Sequence, residues 1–239
     1  MTHGGELLPV CILAGGRGTR LGDAAGELPK PIVEVAGEPF LAHPLRLLSA
    51  HGARRVVLSV GYRGELIEQA LGDGSRYGLE LRYVYDGRDL RGTAGAVRGC
   101  LDELGERFMV LYGDTYLRID YRAVQNAFLD AGTRALLTVL RNEGRWDTSN
   151  TLVAGDRVLA HDKRAPTPEM AWIDYGLGAM HADALGAAGP DEPDLAEVYG
   201  ALAAAGELAA FVATERFYEI GSPAALAETD SFLREVVHG

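Results

Sequence analysis

At 239 residues, 47% hydrophobic and 24% charged, the chain has the composition of a globular protein able to bury one full core. Its formal net charge of −11 excludes a general nucleic-acid binder, which needs a basic face. Two cysteines, Cys11 and Cys100, cannot build a disulfide framework and suggest no metal site, and no apolar run approaches the ~20 residues of a membrane span.

The N-terminus, Met1 to Glu6, has neither a basic stretch nor a cleavable apolar one, so a cytoplasmic protein is expected. Leu7, Leu8, Val10, Cys11, Ile12 and Leu13 read as a buried first strand. It breaks into a glycine-rich loop with basic residues, Ala14 to Arg20. Residues 32–35 form a short strand and 36–39 its turn. An apolar helical face runs from Phe40 to Leu48, ending at Gly52. Residues 54–60 give a strand, 65–71 a helix, 79–84 a third strand, 94–104 a helix, and 108–112 a fully apolar strand stopped by Gly113. Strands alternating with helices at this spacing predict a parallel sheet covered on both faces, a Rossmann-like α/β sandwich.

From Arg134 the rhythm changes. Residues 135–140, 151–153, 157–160 and 171–180 read as strands with little helix between them, and are expected to form a smaller sheet over the mouth of the main one. A helix at 195–205, strands at 209–213 and 217–220, and a closing helix from Pro223 complete the chain; Ser222 caps that helix and Pro223 fits its first turn. Residues 189–193, G-P-D-E-P, read as a mobile surface loop. One domain is expected, in two halves, 1–133 and 134–239.

The loop after the first strand carries the clearest chemistry. Gly15, Gly16 and Gly18 let backbone approach a ligand closely, and Arg17, Arg20 and Lys30 add charge, which together suit a polyphosphate. A Walker A loop is excluded because no Gly-Lys-Ser/Thr closes the run, and the spacing is not G-x-G-x-x-G. The segments L-A-G-G-R-G-T-R-L (13–21) and P-K-P (29–31) resemble the signature of the sugar-1-phosphate nucleotidyltransferases, in the compact branch acting on mannose or heptose 1-phosphates. The molybdopterin-cofactor nucleotidyltransferases share the A-G-G start but usually lack T-R-L and P-K-P.

That resemblance implies a GT-A-like nucleotidyltransferase fold: a three-layer α/β sandwich with a mainly parallel sheet and a small extra sheet over the active site. It also implies transfer of a nucleoside monophosphate from an NTP to a sugar 1-phosphate, with Mg²⁺ as cofactor. Arg20, Lys30 and Lys163 would be catalytic. Leu13, Ala14, Gly15, Gly16, Gly18, Thr19, Gly92, Thr93 and Asp114 would bind the nucleotide; G-T-A-G-A at 92–96 matches the family's helix start beside the base. Asn150, Asp162, Lys163, Asp174, Tyr175 and Gly176 would bind the sugar phosphate. Asp114, in Y-G-D-T, and Glu219, in E-I-G-S-P where the family commonly has D-x-G-T-P, would hold the metal.

Asp162 stands where the family has glutamate, and Trp172 and Tyr175 can equally be core residues. The base-reading segment, 85–91, does not identify the nucleobase; GTP with a manno-configured sugar 1-phosphate is the nearest pattern, with UTP, CTP or dTTP as alternatives. A regulatory homologue that binds nucleotide sugars without turnover is the rival from another class. A homo-oligomer is compatible with the sequence; neither a nucleic acid nor a membrane is an expected partner.

Overall fold

The computed structural model describes residues 6–16, 28–87, 91–191 and 193–238. Its strands are β1 (Val10–Leu13), β2 (Glu34–Val35), β3 (Glu38–Pro39), β4 (Arg55–Val60), β5 (Glu80–Tyr85), β6 (Arg107–Tyr112), β7 (Thr115–Leu117), β8 (Ala135–Arg141), β9 (Thr151–Ala154), β10 (Arg157–His161), β11 (Trp172–His181), β12 (Leu208–Ala213) and β13 (Phe217–Glu219). The helices are α1 (Ala42–Ala50), α2 (Gly64–Leu71), α3 (Gly92–Gly99), α4 (Leu101–Leu104), α5 (Tyr121–Ala131), α6 (Leu195–Ala204) and α7 (Pro223–His238).

Nine strands form one sheet in the order β5-β4-β1-β6-β11-β8-β12-β10-β9. The first four are parallel, as the βαβ rhythm predicts. Alternation along each strand then feeds two cores. Val10 and Ile12 of β1 face Leu45, Leu48 and Ile67 of α1 and α2, with Tyr121, Val124 and Phe128 of α5 in the same layer. Cys11, between them, faces the opposite layer with Ala94 and Val97 of α3 and Leu195 and Val198 of α6. A period of two over a sheet covered on both sides requires this division.

The expectation of a separate sheet from residues 135–180 is corrected. β11 pairs antiparallel with both β6 and β8, and β12 pairs parallel with β8, so these strands extend the main sheet. The small sheet beside the cleft is instead the two-stranded ribbon β7–β13, packed on α7 through Tyr116, Ile220 and Leu233. Helix α5 was not foreseen; Asp120 caps it by accepting from the backbone N–H groups of Arg122 and Ala123. Residues 30–32 form a 3₁₀ turn rather than the start of a strand. In the 189–193 segment the Gly189 carbonyl accepts from Arg98 at 3.3 Å and the Pro193 carbonyl from Ala94 N at 2.8 Å.

Candidate active site

Ligands of parallel α/β sheets gather at the carboxyl ends of the strands, and the main cleft lies there. Its volume is about 370 Å³, and it is lined by Leu13 to Gly16, Lys30, Pro31, Ser59, Asp86, Arg91 to Thr93, Ala96 and Tyr112 to Asp114. Two of its glycines are dictated by sterics. A Cβ on Gly113 would stand 2.5 Å from the Leu13 carbonyl oxygen, to which Gly113 N donates. A Cβ on Gly15 would stand 2.8 Å from Asp86 Oδ2 and 3.3 Å from Gly61 N. Side chains at either point would push the strand ends apart and fill the cleft.

Lys30, projecting from the 3₁₀ turn, is buried, and its ammonium donates to Asp114 Oδ2 at 2.7 Å. Asp114 sits between β6 and β7, where its carbonyl accepts from Ile220 N just after β13. Glu219 lies opposite Thr115 in the same ribbon. The two carboxylate residues expected to hold a metal are therefore brought to one end of β7–β13. Hard carboxylate oxygens suit a divalent cation that draws further ligands from phosphates and water. Among the described residues there is no cluster of three or more His, Cys, Asp or Glu able to hold a metal by itself. The residues present thus fit a metal shared with substrate.

A second polar cluster lies beside Tyr112. Lys163 Nζ is 5.3 Å from the Tyr112 ring centroid and donates to Asp174 Oδ2 at 2.9 Å. The Asp174 side chain is 3% exposed, the Lys163 side chain 39%. Burial pushes the Asp174 carboxyl up, but Lys163, the neighbouring His161 and the hydrogen bonds from Lys163 and Gly176 N together hold it below its ordinary value. Burial likewise pulls the Lys163 ammonium down, and Asp174 more than offsets this. Asp174 is aimed by an irregularity in β11, whose register with β8 shifts between Asp174 and Gly178. Gly176, at φ +103°, donates its N–H to Asp174 Oδ1 at 2.9 Å.

The support behind this pair is a hydrogen-bonded chain. Asn150 Oδ1 accepts from Asp174 N and from the Thr151 hydroxyl. That hydroxyl lies 2.9 Å from His161 Nδ1. Because its hydrogen is committed to Asn150, His161 must donate from Nδ1, which leaves Nε2 as a buried lone pair without a hydrogen-bond partner. Burial lowers the His161 pKa to about 4. The unfolded chain therefore binds the extra proton more tightly than the folded one. Stability is predicted to fall as pH drops from about 6.5 toward 4, by up to about 3 kcal/mol. Thermal melts across that window check this, and His161→Gln should flatten the slope.

Other expected site residues fall differently. Asp162 accepts from the backbone N–H groups of Arg164 and Ala165, so its carboxylate shapes its own turn. Tyr175 is 1% exposed, packs edge-on against Phe217 and directs its hydroxyl to the Arg216 carbonyl, away from the cleft. The Thr93 hydroxyl donates to Asp194 and accepts from Leu195 N, clasping α3 to the capped start of α6. Gly18, Thr19 and Arg20 lie outside the described residues. Of the segment 85–91 expected to read the base, Asp86 and Arg91 line the cleft, together with Ser59 and Tyr112, to which the reading from sequence assigned no role.

A mainly parallel Rossmann-like sheet of this order is the GT-A-like nucleotidyltransferase fold. Solved structures share it. HddC from Yersinia pseudotuberculosis, complexed with GMP-PN, superposes with a TM-score of 0.77 at 24% identity, covering 95% of this chain and 100% of that one. The inositol-1-phosphate CTP transferase from T. maritima gives 0.79 at 23% identity, covering 97% and 98%.

Residues 10–154 match the family described as Nucleotidyl transferase, and the chain belongs to that family. It is 38% identical over 113 residues to an N-acetylmuramate alpha-1-phosphate uridylyltransferase of Neisseria meningitidis, covering 47% of this chain and 49% of that protein. Over 157 residues it is 37% identical to a D-glycero-alpha-D-manno-heptose 1-phosphate guanylyltransferase of Aneurinibacillus thermoaerophilus, covering 64% and 66%. The matched stretches thus span about half to two-thirds of these relatives.

Proposed function

We propose that the protein transfers a nucleoside monophosphate from an NTP to a sugar 1-phosphate, releasing pyrophosphate. GTP with a manno-configured hexose or heptose 1-phosphate is the preferred pair. The observation that carries this reading is two lysine–carboxylate pairs near Tyr112: Lys30–Asp114, which lines the cleft with Tyr112, and Lys163–Asp174, whose ammonium stands 5.3 Å from the Tyr112 ring. Relatives named as guanylyltransferases of mannose 1-phosphate and heptose 1-phosphate support the substrate choice.

In the reaction, an oxygen of the sugar phosphate attacks the α-phosphorus. A new P–O bond forms as the bond to the β-phosphate oxygen breaks, and pyrophosphate departs with its electron pair. A phosphate monoester is already a nucleophile, so catalysis reduces to positioning and charge neutralisation. The glycine loop and Arg20 hold the triphosphate tail, Lys30 the α-phosphate, and Lys163, steadied by Asp174, the incoming phosphate. Asp114 and Glu219 would hold Mg²⁺, which when bound neutralises phosphate oxygens. Residues 1–133 carry the nucleotide and 134–239 the sugar phosphate.

The free, buried thiols Cys11 and Cys100 suit a reducing cytoplasm, and no helix among the described residues is long and apolar enough to cross a membrane. The test is pyrophosphate release over a matrix of NTPs and sugar 1-phosphates. Turnover with GTP and a mannose- or heptose-type phosphate is expected. Stoichiometric nucleotide-sugar binding without turnover anywhere in the matrix would overturn the reading.

A further inference from the structure

We infer that Arg216 is a positioning residue for the transfer: its guanidinium clamps the loop that orients the Lys163–Asp174 pair to the ribbon that carries Glu219. This rests on the nucleotidyl-transfer reading and deepens it. Two pieces border the site without belonging to the main sheet. One is the β7–β13 ribbon, three residues to a strand, with Glu219 opposite Thr115. The other is the loop 142–150, which joins β8 to β9 and has no helix or strand of its own. It leaves the sheet at the site's edge, because β8 and β6 both run antiparallel to β11 and so end on the same side.

The loop is set from within by Asn142, which is buried. Its Oδ1 accepts from Trp146 N at 3.0 Å, and its Nδ2 donates to the Ser149 hydroxyl at 3.0 Å. Asn150, the next residue, accepts from Asp174 N at 3.2 Å through its Oδ1. A displacement of Trp146 is therefore passed on to the pair that anchors the incoming phosphate. Trp146 in turn meets the ribbon. Its ring lies edge-on to Phe217 with 6.4 Å between centroids, and the Arg216 guanidinium carbon stands 4.2 Å from its centroid. That carbon is also 4.5 Å from the centroid of Tyr218, whose ring stacks on Phe232 of α7 at 3.8 Å and 8°. Glu228 of α7 accepts from both guanidinium nitrogens, at 2.7 and 2.9 Å.

The forked hydrogen bonds fix the plane of the guanidinium, and that plane seats both rings. An ammonium would match the charge but not the plane. Exposed ion pairs and single stacked cations add little to stability, so the return is in geometry. In-line transfer needs the attacking oxygen within about 3.5 Å of the phosphorus. The first is held through Asn150, Asp174 and Lys163, the second beside Asp114 and Glu219. Arg216, three residues before Glu219, ties the two carriers together. The described lining of the nucleotide cleft lies within residues 13–114, so the clamp leaves nucleotide binding alone.

The experiment compares steady-state kinetics and melting of the wild type, Arg216→Met and Arg216→Lys, using GTP with mannose 1-phosphate or the pair the substrate matrix selects. In Arg216→Met, kcat should fall about tenfold or more, since a misplacement of about 1 Å costs up to about 10²-fold. KM for the NTP should stay within about twofold, the mark of an interaction that serves the reacting geometry rather than nucleotide binding. Arg216→Lys should regain most of the melting temperature and little of the kcat. An unchanged kcat in Arg216→Met, a fall in kcat matched by a rise in NTP KM, or full recovery of kcat by lysine would each overturn the assignment. If Arg216→Met does not fold, Trp146→Ala, which leaves the Arg216–Glu228 pair in place, must show the same split. If the wild type turns over no substrate pair, the transfer reading fails by itself. The clamp is then read in Trp172→Phe protein, where Trp146 is the one remaining tryptophan. There, acrylamide must quench the indole faster once Arg216 is methionine, and unchanged quenching would refute the clamp.

Discussion

Replacing Lys30 by alanine should lower kcat/KM for pyrophosphate release by about 10²–10³, the loss of about 2.7–4 kcal/mol typical of deleting one preorganised donor to developing charge. The ammonium is buried against Asp114, where water cannot substitute for it at the α-phosphate. The fold should survive. The turn that carries Lys30 is held by main-chain bonds, Val33 N to the Lys30 carbonyl and Leu41 N to the Pro31 carbonyl, which ask nothing of the side chain. Asp114→Ala should cause a comparable loss. The double variant should fall short of the product of the two, because the groups act as one unit. Near-normal release by either single variant would remove both from the reaction.

The second expectation concerns Lys163. In Lys163→Met the incoming phosphate loses its cation, and turnover should drop about 10²-fold on the same grounds. Unlike Lys30, this residue also compensates a buried carboxylate. Removing it should cost about 1.5–3 kcal/mol of stability; the partly exposed ammonium argues against the larger penalties of fully buried pairs. The sign with pH follows from the two shifts. Asp174 sits below its ordinary pKa, so its contribution is present above about pH 4 and is lost as pH falls through the lower folded value. Lys163 sits above its own, so its share is intact below about pH 10 and disappears at higher pH. Melts of wild type and variant should therefore differ most near neutrality and converge in acid. A gap that persists at pH 2 would mean that packing, not charge, is what Lys163 supplies.

Much of the first half of the chain was readable because its signals are local. The run Val10–Leu13, stopped by glycines, could only be a buried strand, and its β4 and β6 neighbours have the same character. Helix α5 is also written in the chain, with Asp120 as cap, Tyr121, Val124 and Phe128 on one face and Gly132 at φ +65° as the stop. The failures are non-local. Nothing near residues 172–181 announces that β11 will pair with β6, a partner some seventy positions earlier. The register shift in β11 likewise breaks the alternation that would have told Asp174 from Tyr175, sending one to the cleft side and the other to the core. Asp86 was legible only as part of the segment 85–91; that its carboxylate lies against the Ser59 hydroxyl and Gly15 is a product of the fold.

Since β6 and β11 are hydrogen-bonded neighbours, both halves of the chain hang from one stiff board. The described residues lining the cleft come from the first 114 positions, whereas Lys163 and Asp174 come from far beyond them. On the proposed reading, the sugar end can be altered loop by loop while the triphosphate grip stays as it is. One scaffold of this kind could serve many sugars without relearning how to hold its donor.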